Sequence, residues 1–285
     1  MLIIVACAAA LLVGLLAAVR WGGERLDAPP RPATGTHLTG GEVVRRYLWW
    51  ATVATVAALG AGLFAGVGGR LVMRLLAATS PEARGRITDA GEVVGDISVD
   101  GTIGLIVFGG VFAGVLCVVP YLLLRRWLPP GYLGGASFGL LALLLVGTRR
   151  DPLRPDNVDF TILGPDWAAL LTFAALAVAF GVLMAALAAR FGRSLPLLAT
   201  PLRATDRRTL LRYWPLLVLV ALLPLAAIVL VVGVVAVLVG PLLPATDGSG
   251  PSRRLVLAGR IALAFVVLVS LPTFVSDVDT ILRAS

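Results

Sequence analysis

No lysine occurs anywhere in this chain, and histidine occurs once, at position 37. All 24 basic residues are therefore arginine. Cysteine is nearly as scarce. Cys7 and Cys117 both lie inside apolar runs, so a disulfide framework is excluded. Two cysteines and one histidine also fall short of a four-ligand zinc site. Charge itself is thin, at 14% of residues, where soluble domains carry about 25%. With 59% hydrophobic residues and a mean hydropathy of +0.96, the chain needs lipid as its solvent. No carboxylate falls at the middle of any apolar run. Proton-coupled pumps place one there, so the gap counts against ion-coupled transport.

The arginines have a distribution. They cluster beside apolar runs, where positive charge holds a membrane segment's cytoplasmic end, so the net charge of +8 does not point to nucleic acid. The missing lysine, with a bias to Ala, Leu, Val, Gly and Arg, implies a GC-rich genome. The expected location is a bacterial inner membrane, crossed many times.

Seven apolar runs emerge: residues 2–19, 47–68, 103–124, 132–146, 167–189, 214–239 and 255–275. The expected fold is an all-α polytopic bundle of about seven transmembrane helices with two ordered extracytoplasmic loops. Ile4-Val5-Ala6-Cys7 loosely matches a lipoprotein cleavage box. No charged segment precedes it and the run continues to Val19, so residues 1–19 read as a retained anchor. Residues 20–46, rich in Pro and Gly, form a cytoplasmic linker that contains His37. Residues 47–189 form a four-helix core with outer loops at 79–102 and 148–166. An Arg-rich cytoplasmic connection, 190–213, leads to a helix pair at 214–285, with a kink expected at Pro224. Tyr47, Trp49 and Trp50 read as an interfacial aromatic anchor, and Thr205-Asp206 as the cap of a short surface helix.

Charge counts orient this threading. Segments 20–46, 125–131 and 190–212 hold thirteen Arg and four acids, whereas 70–100 and 149–166 hold seven Arg and nine acids. The first set is expected in the cytoplasm and the two polar loops outside. The last run conflicts with this parity. Arg253, Arg254 and Arg260 precede it and Asp277 and Asp279 follow it, which favours an inside start where seven crossings demand an outside one.

Small residues recur every four positions: Ala58, Gly62 and Gly66; Gly110 and Gly114; Gly131, Gly135 and Gly139. Such stripes let helices approach closely in lipid, within one bundle or between copies. Gly135-Ala136-Ser137-Phe138-Gly139 matches a nucleophile-elbow pattern. That motif requires a strand-to-helix turn and a histidine partner, and packing explains it better here.

The candidate ligand-binding set is Arg70, Arg74, Arg84, Asp89 and Glu92 from the first polar segment, with Asp151, Arg154, Asp156, Asn157 and Asp159 from the second. Carboxylates of this density suit a hard divalent cation, and the arginines suit a phosphate. The competing reading is an outer surface ordered by its own Arg–carboxylate pairs. Gly85, Gly91 and Gly95 separate Val93, Val94 and Ile97, a pattern that predicts a short hairpin or half-helix rather than disorder. No catalytic residue and no cofactor is predicted, with a divalent cation as the alternative. The expected partners are the bilayer and a membrane protein or second copy. The functional expectation is a non-catalytic scaffold, binding or transport-associated component. A metal-assisted enzyme acting on lipid-linked phosphates and a passive solute channel or permease stand as alternatives.

Overall fold

Apolar helix-forming runs punctuated by Pro and Gly give a chain that is helical throughout its described length, with no strand among the described residues. The computed structural model describes residues 2–27, 29, 40–89, 91–96, 98–149, 152–199, 205–221, 231 and 253–283. Five helices are long and apolar enough to cross a membrane. They are α1 (Leu2–Trp21), α2 (Gly40–Thr79), α3 (Val99–Leu124), a long helix at Asp166–Ser194 and the apolar stretch Val256–Leu282. Between α3 and the Asp166 helix lies the shorter α4, Tyr132–Gly147, followed by one turn, α5, Asp159–Ile162. The long helix Asp166–Ser194 is then α6. Two short pieces, α7 (Arg207–Leu211) and α8 (Leu216–Ala221), precede α9, Arg253–Leu282.

The bundle is built around α2. Its 40 residues rise about 60 Å at ~1.5 Å each, twice a ~30 Å hydrocarbon core. Its most apolar stretch is also far more buried than that of any other long helix. It packs against α1, α3 and α6, while α4 packs against α6. Helix α2 stops where the sequence dictates. Pro81 disfavours helical geometry at Ser80, which sits at φ −126° and ψ 71°.

The glycine stripes seat these helices on each other. A Cβ at Gly110 would lie 2.5 Å from the Gly62 carbonyl oxygen, and one at Gly114 would lie 2.6 Å from that of Ala58. On the other side, Gly135 faces the backbone of Val182, and Gly139 faces the Ala177 carbonyl. The elbow-like sequence around Ser137 is thus a helix contact. Within α3 the residues Leu105–Phe112 open into a wide π-helical turn, and Leu143–Gly147 do the same at the end of α4.

One end of the bundle is arginine-rich. The Trp49 indole, only 2% exposed, donates to the Leu195 carbonyl at 2.8 Å. It is an internal strut, not the lipid-interface anchor its position beside Tyr47 predicts. Trp50 carries the Arg125 guanidinium 3.2 Å above its ring centroid. Burial pulls the Arg125 pKa down to about 10, still well above neutral, so the cation persists and the ring faces charge. Helix α7 follows Asp206 as expected, although the Asp206 side chain makes no capping hydrogen bond.

Helix α9 settles its own direction. Arg260 Nε donates to the Trp127 carbonyl at 3.1 Å, at the arginine-rich end. Ile281 is fully buried at the opposite end, in a cluster with Leu76, Phe160 and Phe173. The helix therefore starts beside the arginines, as its charges favour, and runs against the parity of a seven-crossing chain. Most of run 214–239, including Pro224, lies outside the described residues, as does His37.

Candidate functional site

At the end of the bundle opposite the arginines, the two polar segments fold over α2, α4 and α6 and meet. The first segment makes a hairpin. Ile87 and Val93 face each other as an antiparallel bridge, flanked by Thr88 N–H to Glu92 O at 2.9 Å and Val94 N–H to Arg86 O at 2.9 Å. Gly91 closes its turn at φ +79° and Gly95 exits at φ +98°, backbone shapes that side-chain-bearing residues rarely adopt. Ser98 then caps α3, its hydroxyl accepting from Gly101 N–H at 3.0 Å. Both halves of the hairpin-or-half-helix expectation are present in sequence.

Arg154 joins the two segments. Its Nη2 lies 2.7 Å from Asp89 Oδ2, and its Nε lies 2.8 Å from Asp156 Oδ1. A second link is buried: Asp89 N–H donates to Asp159 Oδ1 at 2.9 Å, and Asp159 N–H donates to Asn157 Oδ1 at 2.8 Å. A third ties the end of α2 to the second segment. Ser80, almost wholly buried, donates to the Gly164 carbonyl at 2.8 Å and accepts from Gly164 N–H at 2.9 Å. Thr79 adds a donor to the same carbonyl at 2.9 Å. Beneath these polar links, Leu76, Ala83, Val94, Leu153, Phe160 and Leu163 pack as one apolar cluster.

The remaining candidates are positioned by the loop itself. Arg74 donates to the Gly95 carbonyl at 3.1 Å, and the Arg84 stem lies against Gly95. Glu92 accepts from the Ser98 hydroxyl at 3.1 Å. Arg70, a turn before Arg74, takes no part in these contacts, and Asp151 lies outside the described residues. Ser80, Thr79, Gly164 and Ser98 were missed as site residues by sequence reasoning. Ser80-Pro81 marked a helix stop, but nothing in the local pattern pairs it with a glycine 84 positions away.

Little space remains between the segments. A cavity of about 20 Å³ is lined by Met73, Leu76, Asn157, Asp159, Phe160 and Phe173, which is room for about one water. No three of His, Cys, Asp or Glu converge among the described residues. The arrangement can orient the segments and present Asp156, whose side chain is 79% exposed, with Arg84 and Arg86 on its outer surface. Comparison with protein-family models, curated proteins and solved structures finds no match to this chain.

Proposed function

We propose that this protein is a non-catalytic membrane component, a scaffold or binding subunit, whose polar cap faces outward from the cytoplasm and docks a membrane partner or a second copy. The reading is carried by one observation: the side chains best suited to bind a ligand are engaged with each other. Arg154 holds Asp89 and Asp156, Asp159 holds the Asp89 backbone, and Asn157 holds Asp159. A phosphate or cation entering between the segments would first have to break these contacts. The outer surface of the cap is better placed to act. Ile87 and Val93 pair across the hairpin and are 66% and 41% exposed, an apolar pair beyond the polar links.

A photoreactive amino acid at Ile87 or Val93, activated in native membranes, tests this. The expected result is a discrete crosslinked species that persists in Asp156→Ala and in the presence of a metal chelator. Hydrolysis of a lipid-linked phosphate by the purified protein, abolished by Asp156→Ala, would instead establish the enzyme reading. Solute flux through reconstituted vesicles would establish the permease reading.

A further inference from the structure

At the arginine-rich end a cleft of about 540 Å³ lies between α4 and α9, within the ~300–1,000 Å³ range of small-molecule sites. It is open along one side. Its depth is apolar, lined by Leu140 and Leu144 of α4 and Leu263 of α9, with Ser137 part-way down. Its mouth is cationic and aromatic. Arg260 and Trp127 line it, and the Arg126 guanidinium lies 5.8 Å from the Trp127 ring centroid. Arg260 is exposed and uses Nε on the Trp127 carbonyl, which leaves its two terminal amino groups for an incoming acceptor.

The cleft exists because α4 is short. Its 11 α-helical and 5 wider-wound residues rise no more than about 24 Å at ~1.5 Å each, less than a ~30 Å hydrocarbon core. The turn at Pro129 and Pro130 that starts it therefore sits below headgroup level. Gly259 brings α9 directly against the Trp127 indole, where a Cβ would collide with the ring. The two helices touch there and leave the space between them to another occupant.

We propose that this cleft holds one acyl chain of an anionic bilayer phospholipid, with its headgroup phosphate on Arg260 and Arg126. Charge decides the headgroup: two guanidiniums meet at the mouth and no carboxylate lines the cleft. The leucine walls decide the chain. A soluble phosphate would satisfy the arginines and leave the apolar depth empty, so the bilayer is the source.

Native mass spectrometry tests this on full-length protein released from nanodiscs of equal phosphatidylglycerol and phosphatidylcholine. One phosphatidylglycerol should survive detergent stripping, favoured over phosphatidylcholine by about tenfold, as two charge-assisted contacts imply. Arg126→Gln with Arg260→Gln should erase most of that preference. Ser137→Trp, which fills the cleft and leaves its mouth intact, should remove the retained lipid of either kind. Leu263→Trp blocks from the opposite wall if Ser137→Trp does not fold. Equal retention of the two lipids by the unmodified protein would overturn the headgroup assignment, and a retained lipid in a folded blocked variant would overturn the site.

Discussion

At Ser80 a single hydroxyl acts as donor and acceptor to one buried glycine, 84 residues away. Removing it strands the Gly164 N–H in a packed interior, which costs more than the hydrogen bond is worth when made. Ser80→Ala should lower stability by about 1–3 kcal/mol, read as a fall in Tm of the purified protein. The ion pairs over the same joint should matter less. Arg154 is 32% exposed and Asp89 40%, so Arg154→Gln should cost only about 1 kcal/mol or less after solvent screening. Asp156→Ala, at the most exposed position of the set, should leave Tm unchanged. A Tm loss for Arg154→Gln larger than that for Ser80→Ala would reverse this ranking. The charged members of the site were legible in sequence because a polar run between apolar runs stands out. The pairing was not legible, since which carboxylate meets Arg154 depends on how two segments 65 residues apart are brought together.

Among helices, the four-residue glycine spacing was informative, because its period matches one helix face. The sequence left open whether that face met another helix of the chain or of a second copy. The close approaches of Gly62 and Gly66 to Gly110, and of Gly135 and Gly139 to Gly181, place both stripes inside the bundle. Backbone atoms on both sides cannot move aside as a flexible side chain would. Gly110→Ala should therefore destabilise by about 1–3 kcal/mol, as overpacking does. A Cβ added at Gly69, also within α2, would meet nothing within 4 Å. There alanine should stabilise by roughly 0.5–1 kcal/mol through helix propensity alone. Thermal unfolding of both variants in one detergent checks the pair. The same sign of shift in both would mean that contact at Gly110 does not control the helix separation.

For the whole molecule, the decisive quantity is which end of each helix shares a side with the polar cap. Positive-inside counting assigned the first helices, and the bundle keeps that order: arginines gather near Trp50, Trp127 and Leu195, and carboxylates near Ser80. At the last helix two readings of one sequence disagreed. Its flanking charges gave one direction and the count of crossings gave the other, and contacts at Trp127 and Ile281 follow the charges. Parity misled because it passes an uncertain crossing at 214–239 on to everything after it, whereas flanking charge is local. The consequence is specific. In a variant with Cys7 and Cys117 replaced, single cysteines at Val93, Asp156 and Asp277 should all react with a membrane-impermeant maleimide in intact cells. Cysteines at Arg126 and Arg208 should react only after lysis. Labelling of the Asp277 position together with the Arg126 position would restore the seven-crossing parity. It would also separate the end of α9 from the cap, although burial of Ile281 among Leu76 and Phe160 requires the two to touch.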